Sequence, residues 1–233
     1  MRSVKEKYKF KEIFLVGLLV MLSGSPHLNT PVLFGGLGVL ALAYSISKPD
    51  ASKRGKLWKY IFFLICIFTG QMVTFGMISY MGSINALAKI VLGATVMWVL
   101  QERFREAYLK VMYFFAAISL IFFALEFIGF KVPDLVHVAP NRNSIFIFSS
   151  LNNIDKLRNC GPFWEPGQFG VYLCIALFFN LFVEKQNLRY VNPILIIALI
   201  TTFSTGAYVA GFYIFLIYAL FKSRNVFVTI IYL

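Results

Sequence analysis

The sequence predicts an all-α, multi-pass integral membrane protein with a cytoplasmic N-terminus. Apolar side chains make up 59% of its 233 residues and charged ones only 14%, and the mean hydropathy is +0.76. Soluble domains contain roughly 45–50% apolar and about 25% charged residues. The apolar residues also fall into long runs, as expected for helices in a bilayer. An ordinary soluble globular protein is therefore excluded.

Eight apolar runs are the candidate membrane spans, within a single transmembrane domain over residues 1–233. They lie at 10–24, 31–46, 59–79, 84–100, 109–129, 168–183, 191–203 and 205–221. Several are shorter than the roughly 20 residues of a perpendicular helix. A re-entrant hairpin at the first or last pair of runs is an alternative, because both connections lack Lys and Arg.

The two ends of the sequence need separate interpretation. The first run follows a basic segment, as in a signal peptide, but Pro26 directly after the small residues 23–25 disfavours cleavage. We therefore expect a retained first span. At the other end, the apolar segment 225–233 is too short to cross a bilayer as a helix. It is expected to be the start of a ninth span, which predicts that the sequence is a truncated N-terminal fragment.

The positive charges support this topology. With the N-terminus in the cytoplasm, 17 of the 22 Lys and Arg residues fall in inner segments and four in outer ones, as the positive-inside rule requires. The net charge of +12 is thereby explained, and nucleic-acid binding has no remaining support. All four outer cations lie in one long extracytoplasmic loop at 130–167, and long loops are usually functional or disordered.

The segment 158–170 of this loop, R-N-C-G-P-F-W-E-P-G-Q-F-G, is rich in residues with special backbone or charge properties. The guanidinium of Arg158 is suited to bidentate phosphate binding. Trp164 could hold a lipid tail or stack on a sugar, although an interfacial aromatic belt is the simpler role. The simpler role of Glu165 and Pro166 is a well-formed helix start. Cysteine and histidine spacing predicts no metal site, and no cofactor is expected.

Together with T-F-S-T-G-A-Y at 202–208, this segment resembles the O-antigen polymerase and O-antigen ligase superfamily of bacterial envelope proteins, over about 158–210. The resemblance implies an inner-membrane enzyme that joins oligosaccharides carried on undecaprenyl pyrophosphate. Arg158 matches the family's loop arginine, and Gly161 and Glu165-Pro166 match its continuation. The family's second outer loop would lie beyond Leu233. Membrane lipid, chain-length regulators and flippases are the implied partners.

The function expected from this resemblance is a glycosyltransferase-type polymerase of a surface polysaccharide, such as lipopolysaccharide O-antigen or capsule. The alternatives are the ligase of the same superfamily and a polysaccharide or small-solute transporter. Arg158 would stabilise the leaving pyrophosphate, with Arg142 or Lys156 assisting. Glu165 would be the base or would orient Arg158. We favour orientation, because a neighbouring guanidinium favours the ionised carboxylate and weakens it as a base.

Two ionisable residues, Lys89 and Glu126, lie inside predicted spans near the outer leaflet. Hydrocarbon disfavours such groups, so each is a candidate functional residue. They could pair with each other, or Lys89 could bind the phosphate of the substrate. Simple snorkelling to the membrane surface is an equal alternative for both.

Overall fold

The computed structural model describes residues 2–25, 80–130, 142–145, 147–153, 156–183 and 191–222, and isolated helical positions between 59 and 74. The predicted run at 31–46 and most of the run at 59–79 lie outside the described residues. The described helices are α1 (Arg2–Gly24), α2 (Tyr80–Leu100), α3 (Glu102–Phe127), α4 (Pro166–Phe178), α5 (Val191–Thr201) and α6 (Thr205–Lys222). A π-helical turn, Phe179–Val183, continues α4.

Two of the described helical segments are long and apolar enough to cross a membrane, judged by length and composition. They are Glu102–Phe127 and Pro166–Val183. The apolar stretches Ala88–Leu100, Val191–Thr201 and Thr205–Phe221 are shorter. The described chain is thus mostly helical, with two helices that suggest membrane association, and the count of eight spans stays a prediction.

The long loop contains a three-stranded antiparallel sheet, which corrects the all-α expectation. The strands, in spatial order, are β1 (Arg142–Ile145), β2 (Phe148–Asn153) and β3 (Lys156–Gly161). The strands are four to six residues long and rich in Ser and Asn, and Asn is depleted in strands. The hydropathy pattern therefore does not predict these three strands.

The chain forms two compact units, the first made of the described residues of Met1–Ser23 and Leu28–Phe104. Within it, the Lys89 ammonium donates to the carbonyl of Ser23 (3.4 Å). An ion pair joins Arg103 to Glu12. The first contact holds the C-terminal end of α1 to α2. The second holds the middle of α1 to Arg103, which follows α2.

The second unit contains the described residues of Gly24–His27 and Arg105–Leu233. Here α4 packs against both α5 and α6, and the sheet lies against α4 and α5. Gly170 of α4 directly faces Ala207 of α6: a Cβ atom at Gly170 would lie 2.3 Å from the Ala207 Cβ. Small residues permit such close approach of apolar helices.

The segment between β3 and α4 is fixed by backbone geometry and aromatic packing. Gly161 has φ +55°, a left-handed conformation that glycine adopts without steric cost. Phe163 is fully buried, with its ring centroid 4.6 Å from that of Tyr172 and 5.8 Å from that of Phe169. The Trp164 amide donates to the carbonyl of Gly24 (2.8 Å). This packing places Trp164 and Glu165 at the start of α4.

Candidate functional site

The register of the sheet sorts its polar side chains onto two faces. Leu151 of β2 is opposite both Arg142 of β1 and Arg158 of β3. Residues directly opposite each other in a ladder share a face, so the two arginines lie on the same face, which we call the arginine face. Ser150 and Asn159 pair one position along. They lie on the other face, because successive side chains alternate.

Arg142 is the most deeply buried cation of the site. Only 5% of its surface is exposed. Its Nη1 donates to Ser149 Oγ at 3.3 Å, and its Cζ lies 4.3 Å from the centroid of the Trp164 ring. Its Nε is buried and has no hydrogen-bond partner within the described residues. A desolvated guanidinium with an unused N–H attracts an anion.

Arg158 connects the sheet to the C-terminal end of α5. Its Nε donates to the carbonyl of Thr202 (3.2 Å) and its Nη2 to the carbonyl of Phe203 (2.9 Å). Both carbonyls belong to residues just after the last residue of α5, next to the helix end that carries a partial negative charge. Two of the three guanidinium nitrogens are thereby oriented, and in the described chain no hydrogen bond engages Nη1.

Glu165 precedes the first residue of α4 in an extended conformation (φ −124°, ψ 141°) and makes no side-chain capping bond. It is exposed. Among the described residues no hydrogen bond or ion pair joins it to Arg158. The carbonyls of Thr202 and Phe203 hold Arg158, so the structure provides the orientation that we had expected from Glu165.

Cys160 lies on β3, two residues after Arg158, within the electrostatic influence of both arginines. It is fully buried, and this burial raises the pKa of its thiol to about 11, although Arg142 and Arg158 act in the opposite direction. Desolvation disfavours the thiolate more than the two cations favour it. The thiol is therefore a neutral spacer rather than a nucleophile at physiological pH.

This pKa predicts the reactivity of the thiol. At pH 8 only roughly one Cys160 in 1,000 should be thiolate, so a maleimide should modify Cys160 at least about 100-fold more slowly in the folded protein than in the unfolded protein. The rate at Cys160 should rise about tenfold per pH unit up to the pKa, because the thiolate is the nucleophile. The measurement uses single-cysteine variants, with SDS-unfolded protein as the control. Equal rates for Cys160 in the folded and the SDS-unfolded protein would contradict the burial of Cys160.

The remaining predicted residues are distributed as follows. Trp164 covers Arg142 and is 41% exposed. Lys156 is the first residue of β3, but its side chain lies outside the described residues. Lys89 belongs to the first unit and donates to Ser23. The sheet thus brings together Arg142, Arg158 and, through Arg142, Trp164.

Sequence reasoning missed a polar cluster on the other face of the sheet. Glu126 accepts a hydrogen bond from the hydroxyl of Ser150. Asn159 donates to Ser119 Oγ (3.2 Å) and Thr201 Oγ1 (3.0 Å), which joins β3 to α3 and α5. One signal was available: Ser119 and Glu126 are seven residues apart, which places both on one side of a helix.

Comparison of the chain with known proteins found no relative. No protein-family model, no curated protein and no solved structure matches the chain.

Proposed function

We propose that the protein is a multi-pass enzyme of the bacterial inner membrane that polymerises a surface polysaccharide. It would transfer oligosaccharide repeat units from undecaprenyl pyrophosphate at the outer face of that membrane. The resemblance of 158–170 and 202–208 to the O-antigen polymerase and ligase superfamily suggests this activity. The observation that supports it best is the buried Arg142, which lies under Trp164 with an unused Nε and shares a sheet face with Arg158.

The arginine face suits a diphosphate. Neighbouring strands are about 4.8 Å apart, so residues on β1 and β3 are about 10 Å apart at their Cα atoms. Arginine side chains are long enough for both guanidinium groups to reach one pyrophosphate across that gap. Arg142 offers its Nε and Arg158 its Nη1, and charge-assisted hydrogen bonds of this kind are the strong ones.

The reaction would proceed by displacement at the anomeric carbon. An acceptor hydroxyl forms the new C–O bond, and the bond to the pyrophosphate oxygen breaks with its electron pair leaving on undecaprenyl pyrophosphate. The two arginines stabilise the negative charge on this leaving group. The hydroxyl proton goes to a general base. Glu165, an exposed carboxylate seven residues after Arg158, remains our candidate.

The second unit exposes apolar side chains along the helices that surround the sheet. Examples are Val171 on α4, Ile197 on α5, and Phe212, Tyr213 and Phe221 on α6. Exposed apolar side chains on three helices suit contact with lipid. They support a multi-pass arrangement in which α5 and α6 also lie in the bilayer. The arginine face would then be reached by a lipid-linked substrate.

The test is binding of undecaprenyl pyrophosphate to the purified full chain. Arg142→Ala should weaken binding by about 10- to 150-fold, because a hydrogen bond to a charged group contributes about 1.5–3 kcal/mol. Arg142→Lys, which keeps the charge without the planar fork, should weaken it less. Arg103→Ala, which removes a 61% exposed arginine of the first unit, is the matched control. Unchanged binding by a folded Arg142→Ala protein would remove the proposal's main support.

The side of the membrane on which the arginine face lies can be tested separately. A cysteine replacing Glu165, in a background without the natural cysteines, should react in intact cells with a membrane-impermeant maleimide, because Glu165 is exposed. A cysteine replacing Arg103 should react only after permeabilisation. The reverse pattern would place the arginine face on the cytoplasmic side, where this reaction could not occur.

A further inference from the structure

A small polar cavity lies between α3 and the sheet, and we call it the α3–sheet cavity. Its volume is about 20 Å³, which accommodates one occupant the size of a water molecule. The polar side chains that line it are Ser119, Glu126, Ser149, Ser150 and Asn159, and three phenylalanines complete its wall. The site proposed above for pyrophosphate does not include Ser119, Glu126, Ser150 or Asn159.

The hydrogen-bond donors of these side chains already donate to acceptors within the protein. The Ser150 hydroxyl donates to Glu126, and the Ser119 hydroxyl donates to the carbonyl of Ala116 (2.9 Å). The two N–H groups of Asn159 donate to Ser119 and Thr201.

Two further bonds complete this assignment. The Ser149 hydroxyl donates to the carbonyl of Phe163 (2.9 Å). Asn159 Oδ1 accepts from the backbone N–H of Gly161 (2.9 Å), a group that can only donate, and this fixes the orientation of the amide. The lining side chains can therefore contact an occupant only through the lone pairs of their oxygen atoms.

An all-acceptor lining selects a cation over a water molecule. A water molecule donates at most two hydrogen bonds, whereas a hard cation gathers several oxygen ligands at once. Glu126 is the one acidic residue that lines the cavity, whereas sites for Ca²⁺ usually combine several carboxylates, so the lining favours a monovalent cation. The small volume favours Na⁺ over the larger K⁺.

We propose that the α3–sheet cavity binds one Na⁺ ion. Its ligands are a carboxylate oxygen of Glu126, the hydroxyl oxygens of Ser119 and Ser150, and Oδ1 of Asn159. The ion joins α3 to β2 and β3, so its occupancy stabilises the sheet that presents the arginines on its opposite face. The site does not depend on the proposed polymerase activity.

The experiment measures binding of ²²Na⁺ to the purified full chain in buffers based on choline chloride. We expect saturable binding of one ion per chain. At equal ionic strength, the melting temperature should be higher in NaCl than in choline chloride, because a ligand that binds only the folded state stabilises it. Glu126→Gln should abolish both effects. Glu106→Gln is the matched control, since Glu106 is an exposed carboxylate on the same helix and its loss should leave both effects intact.

A second variant covers the case in which Glu126→Gln does not fold. Ser150→Ala keeps the carboxylate and removes one oxygen ligand, and it should weaken ²²Na⁺ binding at least tenfold. Two outcomes would overturn the proposal. One is the absence of saturable ²²Na⁺ binding to the unmodified chain, which would show that the cavity does not bind Na⁺. The other is unchanged binding in a folded Glu126→Gln or Ser150→Ala protein.

Discussion

Replacement of Asn159 by Leu is expected to lower the free energy of unfolding by about 3–5 kcal/mol, the largest effect of any substitution proposed for this chain. The Asn159 side chain is buried and makes three hydrogen bonds that join β3 to α3, α5 and its own bend. Leucine has a similar size but no polar atom. The buried N–H of Gly161 would then lose its acceptor, and such a group costs about 1–3 kcal/mol when left unsatisfied.

The measurement is chemical denaturation in detergent micelles. Thr201→Val is the graded control, because it removes one of the two side-chain partners of Asn159 and leaves the bond to Gly161 intact. It should cost about 1–3 kcal/mol, less than Asn159→Leu, because it leaves one buried N–H of Asn159 without an acceptor. A loss below about 1 kcal/mol for Asn159→Leu would mean that the sheet is not held to the helices through this residue.

The helical part of the fold could be predicted from sequence because each apolar run is itself the signal. The run at 109–129 corresponds to α3 (Glu102–Phe127), and the runs at 191–203 and 205–221 correspond to α5 and α6. The predicted boundary between these two runs, at residue 204, falls within the break at residues 202–204 that separates the two helices in the structure. The prediction of helix positions is confirmed at these three elements.

The site could be predicted only in part. Arg158, Arg142 and Trp164 were identified by chemical type, since a cation and an aromatic ring in a polar loop are visible without a fold. Their partners were not visible, because they are distant in sequence: Arg158 binds the carbonyl of Thr202, 44 residues away. Glu165 was an attractive partner for Arg158 only because it was near in sequence.

The polar cavity was harder still to predict. Ser150 and Glu126 are 24 residues apart and belong to different kinds of secondary structure. Their contact depends on the register of β2, and a register shift of one residue would have turned Ser150 to the opposite face. Hydropathy contains no information about register in strands of this length, so the cavity required the structure.

Replacement of Gly170 by Ala is expected to lower the free energy of unfolding by about 1–3 kcal/mol, the second largest effect among the proposed substitutions. An alanine Cβ there would lie 2.3 Å from the Ala207 Cβ and 3.7 Å from its Cα. Neither atom belongs to a flexible side chain, so α4 and α6 would have to move apart. Alanine favours a helix over glycine by about 1 kcal/mol, which reduces the loss without reversing it.

Two further variants separate crowding from helix propensity. Gly206→Ala places the same methyl group in α6, where no atom of the described residues beyond its own stretch of helix lies within 4 Å of the new Cβ, so its stability should be unchanged or rise by up to about 1 kcal/mol. The double variant Gly170→Ala with Ala207→Gly moves the methyl group from one helix to the other and should recover most of the loss. Failure of this rescue, with Gly206→Ala neutral, would show that α4 and α6 do not meet at Gly170, because the two positions could then not compensate each other.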